Sequence, residues 1–201
     1  MKDEKPLYDS FIADYYDTSP ILVQRTQDTV FYVNSVKKYG DPALELGCGT
    51  GRITMAVAEA GYRIVGLDLS DKMLRRAEEK RATLRREARE RVHLVQGDMT
   101  RFDLDEKYRV VIIPFRPLQH LLEVQQQKSC LESVRKHLWS DGRRSREQRG
   151  RLILDVFQTD AERMHDPEHQ KEAPVTEYKT ADGRQVRVTE RVAAFHRAQH
   201  R

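Results

Sequence analysis

Short apolar runs alternate with amphipathic segments between residues 43 and 157, and this alternation constrains the fold more than any other feature of the sequence. The runs are ALELGC, RIVGLDL, RVHLVQG, YRVVIIPF and RLILDVF, at 43–48, 63–69, 91–97, 108–115 and 151–157. Strands that are apolar on both faces and are joined by helices form a parallel sheet between two helical layers. We therefore predict an α/β, doubly wound, mainly parallel sheet with helices on both faces.

The segments on either side of this pattern look different. Residues 1–40 carry scattered aromatic residues at helical spacing and predict an N-terminal helical lid, and residues 41–158 form the predicted core. Residues 159–201 predict a helix or loop followed by a β-hairpin at 175–194, because two alternating runs flank a turn that contains Gly183.

Two helices of the core have a predicted inward face. One is capped by Ser70 and covers 70–90, with its apolar residues at helical period. The other begins at Glu123 and ends at Trp139. Its apolar residues predict that Val124, Leu131, Val134 and Leu138 face the sheet.

Composition excludes several classes of protein. No apolar run approaches the ~20 residues of a membrane span, and the charged N-terminus has no apolar stretch typical of a secretory signal. The two cysteines, Cys48 and Cys130, form no CxxC pair, so we predict neither a disulfide framework nor a metal site. His165 and His169 lie four residues apart, but Pro167 between them favours a surface loop. A cytoplasmic protein without a membrane contact is the expectation.

The net charge of +4 is modest, and the arginines fall into two clusters. The cluster from Arg75 to Arg91 is interleaved with glutamates, which is typical of a solvated helix face. The other, RRSREQRGR at 143–151, reads as an exposed loop. A nucleic-acid partner is therefore not expected, because neither cluster predicts a concentrated basic surface.

A glycine-rich turn follows the first predicted strand, at the edge of the sheet where such folds bind ligands. Its sequence is Glu45-Leu-Gly-Cys-Gly-Thr-Gly-Arg52. Counted from Gly47, the glycines occupy the first, third and fifth positions, whereas a dinucleotide fingerprint has glycine at the first, third and sixth. A carboxylate at Glu45 disfavours a pyrophosphate and favours a ligand that carries an ammonium or sulfonium group.

Two acidic residues close the next two strands. Asp68 lies about 20 residues beyond the turn, where a carboxylate commonly accepts the ribose hydroxyls of a nucleoside; the alternative role is a helix cap, for which Ser70 is also suited. Asp98 follows Gly97 and precedes Met99. It can accept an adenine amino group while Met99 packs on the ring, or it can simply stabilise a turn.

These motifs, together with the YD-rich opening between Tyr8 and Asp17, resemble the class I S-adenosylmethionine-dependent methyltransferases, in particular the small-molecule branch. The resemblance implies a Rossmann-like fold, S-adenosylmethionine as cofactor and a Tyr16 (or Tyr15) that closes over it. It also implies that the glycine turn cradles the methionine part, that Glu45 supports its amino group and that Asp68 contacts the ribose. The cofactor-binding residues expected are Tyr16, Glu45, Gly47, Cys48, Gly49, Thr50, Gly51, Asp68, Leu69, Met73, Gly97, Asp98, Met99 and Pro114.

The acceptor is expected beyond the fourth strand, near Phe115, Arg116 and Gln119. His120 is the residue of this segment suited to act as a general base near neutral pH, with a helix-capping role as the alternative. Arg116 is a candidate for binding a carboxylate or phosphate on the acceptor. The segment lacks the Asn/Asp-Pro-Pro-Tyr/Phe motif expected in nucleic-acid amino methyltransferases, which again favours a small molecule.

The chain departs from the family pattern at its C-terminal side. An arginine-rich segment stands where a short Pro-Gly-Gly turn is usual, and the final helix and last strands of the family fold are not recognisable. The fifth strand is then expected at an exposed sheet edge, which a homodimer would cover. Three alternatives to a small-molecule methyltransferase stay open: a non-catalytic cofactor-binding or partner-binding module, a nicotinamide-dependent oxidoreductase, and an RNA methyltransferase that uses the 143–151 loop.

Overall fold

The computed structural model describes residues 13, 16–18, 27–140, 149–158, 171, 173–179 and 183–190. The helices are α1 (Gln27–Tyr39), α2 (Arg52–Glu59), α3 (Asp71–Thr83), α4 (Arg86–Arg89) and α5 (Val124–His137), with 3-10 turns at Tyr16–Thr18 and Pro117–His120. The strands are β1 (Ala43–Leu46), β2 (Ile64–Asp68), β3 (Val92–Gln96), β4 (Val110–Ile113), β5 (Arg151–Leu154), β6 (Ala173–Lys179) and β7 (Gln185–Glu190).

Five strands form one parallel sheet in the order β3-β2-β1-β4-β5. All five apolar runs named above contain one of these strands, so the predicted doubly wound sheet is confirmed. The strand order reverses between β1 and β4, which are direct neighbours. Connections leave such neighbours in opposite directions, and this opens a crevice at the carboxyl ends of the strands.

The core consists of two clusters, one on each face of the sheet. Alternate residues of β1 and β4 point to opposite sides: Ala43 and Val110 lie in one cluster, Leu44 and Val111 in the other. Helices α1, α2 and α3 contribute to the first cluster and α5 to the second. Both faces are therefore covered by helices, which explains why all four residues of β4 are buried.

Two compact units divide the chain. One contains residues 1–16 and 25–156, and the other contains 17–24 and 157–201. Helix α1 lies within the first unit, where Tyr32 and Val36 are part of the core. The described part of the second unit contains an antiparallel β6–β7 hairpin in which Glu177 pairs with Arg187. The division into an N-terminal lid (1–40), a core (41–158) and a C-terminal segment (159–201) stays a prediction.

The helix predicted over 70–90 is wrong in its continuity. Ser70 does cap α3, accepting a hydrogen bond from the Met73 N–H at 3.3 Å. The helix ends at Thr83, because Leu84 adopts an extended conformation, and α4 follows after Arg85. The break lets Leu84 pack on the core while Ala88 is buried, a tertiary constraint that helical period does not reveal.

The inward face predicted for the helix over 123–139 is partly wrong. Val124 and Leu131 are 48% and 40% exposed, whereas Val134 is buried as predicted. The buried face of α5 also carries Ser133 and His137. These polar residues are tolerated because they are hydrogen-bonded: the Ser133 hydroxyl donates to the Thr100 carbonyl, and His137 Nε2 accepts from the Leu104 N–H at 2.9 Å.

The surface arginines of α3 and α4 are largely paired with acidic residues one helical turn away. Arg76 lies 3.0 Å from Glu79, and Arg86 lies 2.9 Å from Glu90. This agrees with the predicted solvated face. Four parts of the predictions lie outside the described residues: residues 143–148 of the second arginine cluster, His165, His169 and Tyr15.

Strand β5 pairs with β4, and within the described ranges it is the last strand of its sheet. The predicted homodimer across this edge stays a prediction. No helix in the described part of the chain is long and apolar enough to cross a membrane.

Candidate functional site

A cavity of about 750 Å³ opens where β1 to β4 end. It is within the usual size range of sites for small ligands. The lining residues come from the ends of β1 and β2, the turns after the strands, the first turns of α2 and α3, and the 3-10 segments. They are Tyr16, Glu45, Gly47, Cys48, Gly49, Thr50, Arg52, Ile53, Leu67, Asp68, Leu69, Ser70, Met73, Gly97, Asp98, Met99, Pro114, Phe115, Pro117, His120, Leu121 and Leu122.

The glycine turn brings backbone close to the cavity. Gly47 and Gly49 adopt positive φ angles of 71° and 55°. A Cβ on Gly47 would lie 2.7 Å from the Pro117 Cβ, so that glycine is required for the close approach of the segment after β4. A Cβ on Gly49 would meet no atom within 4 Å and would project into open space.

Gly51 differs from the other two glycines because it does not line the cavity. It precedes α2 with φ 79°, and a Cβ there would lie 2.8 Å from the Met55 side chain and 3.3 Å from Ala77. Its smallness allows α2 to pack against α3. Gly51 was predicted as part of the ligand cradle. In the structure it lies between α2 and α3 and is not among the residues that line the cavity.

Glu45 is a buried carboxyl group on the wall of the cavity, only 2% exposed. Burial raises its pKa to about 8, although the Thr54 hydroxyl, which donates a hydrogen bond to it, and the Arg52 guanidinium act in the opposite direction. A carboxyl group with this pKa is largely protonated at pH 7 in the free protein. A cationic group in the cavity would favour its ionised form.

Asp68 stabilises the turn and faces the cavity at the same time. Its Oδ2 accepts from the Gly49 N–H at 2.7 Å and its Oδ1 from the Ser70 N–H at 2.9 Å. Burial raises the pKa of Asp68, whereas these backbone hydrogen bonds lower it. Each carboxylate oxygen has a second lone pair, so acceptance of ligand hydroxyls is compatible with both contacts.

Asp98 makes the turn contacts that were the alternative to a ligand role. Its Oδ1 accepts from the Thr100 N–H at 2.8 Å and from the Thr100 hydroxyl at 2.7 Å. It nevertheless lines the cavity together with Met99 and Leu69, and Leu69 is 52% exposed. The two roles of Asp98 are therefore compatible.

Cys48 lies in the cavity wall but is only 6% exposed. Burial, followed by the charges of Glu45 and Asp68, raises the pKa of its thiol. A protonated, buried thiol is a poor nucleophile. Cys48 therefore suits a packing role in the cavity wall better than a nucleophilic one.

Arg52 is a cavity residue that the sequence analysis did not include among the site residues. Its two terminal nitrogens contact the Asp28 carboxylate of α1 at 2.7 Å each, and one also donates to the Thr29 hydroxyl. This fork-to-fork pair ties the start of α2 to the start of α1. The pairing spans 24 residues of sequence and follows no local pattern.

The segment after β4 takes an unusual path. Phe115 and Arg116 have φ angles of 60° and 61°, a region that costs a non-glycine residue about 1–3 kcal/mol. The following 3-10 turn places His120 on the cavity wall. Burial and, secondarily, the Arg116 guanidinium lower the pKa of His120, so its imidazole is neutral at pH 7 and can accept a proton.

Two other residues expected at the acceptor, Arg116 and Gln119, do not line the cavity. The left-handed backbone at Arg116 places its guanidinium 5.8 Å from the centre of the Phe115 ring. The Gln119 N–H donates to the Arg116 carbonyl within the turn. Their roles toward an acceptor remain predictions.

The family model described as "Methyltransferase domain" matches residues 43–142. These residues contain β1 to β4 and most of the cavity wall. The chain belongs to the class I S-adenosylmethionine-dependent methyltransferases.

Curated methyltransferases share this part of the sequence. The "Cypemycin N-terminal methyltransferase" of Streptomyces sp is 31% identical over 137 residues, which are 68% of this chain and 54% of that protein. The "Demethylmenaquinone methyltransferase" of Lactobacillus johnsonii is 32% identical over 122 residues, or 56% and 49% of the two chains. This chain thus spans about half the length of the curated methyltransferases it matches.

Solved methyltransferase structures confirm the Rossmann-like fold. The CcbJ methyltransferase of Streptomyces caelestis superposes with a TM-score of 0.63 at 29% identity, over 73% of this chain and 56% of the other. The glycopeptide N-methyltransferase MtfA superposes with a TM-score of 0.58 at 23% identity, over 83% and 70%. MtfA has also been solved in complex with S-adenosyl-L-methionine.

Proposed function

We propose that this methyltransferase chain binds S-adenosylmethionine in the cavity and transfers its methyl group to a small-molecule acceptor. The observation that carries the proposal is the arrangement of Glu45, Gly49 and Asp68 around one cavity at the crevice of the sheet. The buried acid Glu45 suits a cationic group, and Gly49 allows a ligand to approach the backbone closely. The Asp68 carboxylate can accept the ribose hydroxyls.

The residues present fit the proposed cofactor in chemistry. The ammonium group would offset the unfavourable burial of ionised Glu45. The methionine part would pass over Gly49, where a side chain would otherwise occupy the space. Leu69, Met99 and the Asp98 carboxylate would take the adenine, the first two by packing on the ring.

S-adenosylmethionine supplies a methyl carbon that its sulfonium already activates for in-line displacement. The protein then has to align the acceptor, exclude water and take up a proton where the acceptor carries one. His120 is the group we propose for the proton, because its imidazole is neutral and lies on the cavity wall. Phe115 and Leu121 would exclude water from the same side.

A small acceptor is supported by the walls of the cavity and by the names of similar proteins. Pro114, Phe115, Pro117, Leu121 and Leu122 make the side beyond β4 mainly apolar. One similar protein is named an N-terminal methyltransferase and another a glycopeptide N-methyltransferase. We therefore propose an amine-bearing small molecule or short peptide as the first class of acceptor to examine.

Calorimetric titration with S-adenosylhomocysteine tests the cofactor site without knowledge of the acceptor. We expect micromolar binding by the wild type and about 10- to 100-fold weaker binding by Asp68→Asn, since a hydrogen bond to a charged group contributes roughly 1.5–3 kcal/mol. Asp71→Asn is the matched control, because Asp71 lies three residues away in an exposed pair with Arg75. Absence of binding by the folded wild type would refute the proposal.

The alternative of a non-catalytic module differs in turnover. Such a module would bind S-adenosylhomocysteine and yet release none from S-adenosylmethionine with any acceptor in a panel of primary and secondary amines, phenols and carboxylic acids. If an acceptor causes S-adenosylhomocysteine to be released, and His120→Gln slows this release by about 10²-fold or more, the result would support a transferase with His120 as its base.

A further inference from the structure

The segment after β4 is anchored from outside the cavity by a residue that the proposed reaction does not use. Asp155 directly follows β5, and its Oδ1 accepts from the Phe115 N–H at 2.7 Å. The same oxygen accepts from the Tyr32 hydroxyl at 2.5 Å. Within the described part of the chain, neither Asp155 nor Tyr32 is a cavity-lining residue.

The register of the sheet explains why Asp155 can reach this point. Ile113, the last residue of β4, pairs with Leu154, the last residue of β5. The chain therefore leaves β4 beside Asp155, and the first backbone N–H after Pro114 meets the carboxylate. That N–H belongs to Phe115, the first of the two residues with a positive φ.

Tyr32 is the second donor to the Asp155 carboxylate. Its ring is 1% exposed and lies in the core between α1 and the sheet. Burial, and then the hydrogen bond and charge of Asp155, raise the pKa of the Tyr32 phenol, so it stays a donor throughout the physiological range. The contact joins residues 123 positions apart and links α1, β5 and the β4 loop, defined as residues 114–122.

The β4 loop carries the residues that would meet an acceptor. Phe115 and His120 line the cavity, and Pro117 lies against Gly47. A shift of the loop would therefore move the proposed base and change the gap above the glycine turn together. A strained two-residue turn keeps its shape only where the surrounding contacts impose it.

We infer that Asp155, oriented by Tyr32, is a positioning residue that holds the β4 loop and thereby sets the place of His120 at the acceptor side of the cavity. Its importance for methyl transfer rests on the proposed function, whereas its effect on the loop is independent of any ligand. Asp155→Asn should preserve the anchor, because both hydrogen bonds reach one oxygen atom and an amide oxygen can accept two.

The test follows the titration of His120 by NMR in the ligand-free protein, with the resonance assigned by its loss in His120→Gln. In Asp155→Ala we expect the midpoint to rise toward about 6.5, the ordinary value for histidine, as the loop loosens and hydrates. Loss of the negative charge alone would lower the midpoint, so a rise reports on the loop. Asp155→Asn should show no rise, because it keeps the anchor and loses only the charge; the control Asp103→Ala, which removes a fully exposed carboxylate, should show no rise either.

An unchanged midpoint in folded Asp155→Ala would overturn the inference, and so would an equal rise in Asp155→Asn. Should Asp155→Ala not fold, Tyr32→Phe decides, because it keeps the buried ring and removes one of the two donors; a rise supports the anchor and no rise refutes it. Titration of the same proteins with S-adenosylhomocysteine is a separate readout. Failure of the wild type to bind would refute the proposed cofactor site and leave the loop result standing.

Discussion

Glu45 is a residue whose buried carboxyl group suits a cationic ligand but lowers the stability of the ligand-free protein as pH rises. Its pKa of about 8 lies above its ordinary value of 4.5. Between these two pH values the carboxyl group is therefore mostly protonated in the folded state and mostly ionised in the unfolded state. The folded state therefore loses relative stability as pH rises from about 4.5 to about 8. Above that range, both states are ionised and the difference is constant.

Replacing Glu45 with Gln should remove this dependence. We expect the unfolding temperature of Glu45→Gln to exceed that of the wild type by an amount that grows from pH 5 to pH 8 and then levels off. The slope corresponds to about 1.4 kcal/mol per pH unit at most. Thermal unfolding of both proteins across this range measures it, and parallel curves would show that Glu45 does not titrate there.

Adding one Cβ atom at Gly49 should affect ligand binding more than it affects the stability of the fold. Gly49→Ala should cost stability of about 1 kcal/mol for its left-handed backbone, with no steric clash. Because Gly49 lines the cavity and the new methyl group would project into open space, we expect at least about tenfold weaker binding of S-adenosylhomocysteine, or about 1.4 kcal/mol. Gly61→Ala is the control: it has φ 97° and no atom within 4 Å, but lies outside the cavity. Equal affinity of the two variants would argue against a ligand over Gly49.

Helix α5 buries a face that its hydrophobic period predicted only in part. Two valines of this helix provide a matched pair, since Val134 is 1% exposed and Val124 is 48% exposed. We expect Val134→Ala to lower the free energy of unfolding by about 2 kcal/mol and Val124→Ala by less than about 0.5 kcal/mol. Denaturant unfolding of the two variants checks this, and equal losses would contradict the face that the structure gives to α5.

At the scale of the whole molecule, a ligand that binds the folded state alone should stabilise the chain. At a concentration of 100 times its dissociation constant, S-adenosylhomocysteine would add about 2.7 kcal/mol. For a chain of this size we expect the unfolding temperature to rise by roughly 5–10 °C. NAD at the same concentration is the control and should leave it unchanged; the reverse pattern would favour the oxidoreductase alternative.

Hydrophobic pattern and glycine spacing were enough to predict the sheet, its parallel strands and the glycine turn on the cavity wall. These features depend on hydrophobic period and on the need for glycine at a tight turn, which are properties of a few neighbouring residues. Glu45, Asp68 and Met99 could be placed at one edge for the same reason, because the strands before them all end there. The break after Thr83 and the polar face of α5 could not be predicted in this way.

Contacts between groups that are distant in sequence appear only in the folded chain. Asp28 reaches Arg52, and Tyr32 shares the Asp155 carboxylate with the Phe115 N–H. No local spacing indicates such contacts, since they depend on how helices pack across the sheet and on which strands become neighbours. A buried polar group is acceptable only where folding supplies its partner. The sequence pattern therefore predicted the glycine turn and the acidic residues at the strand ends. The contacts that hold the β4 loop at the other side of the cavity become visible only in the packed structure.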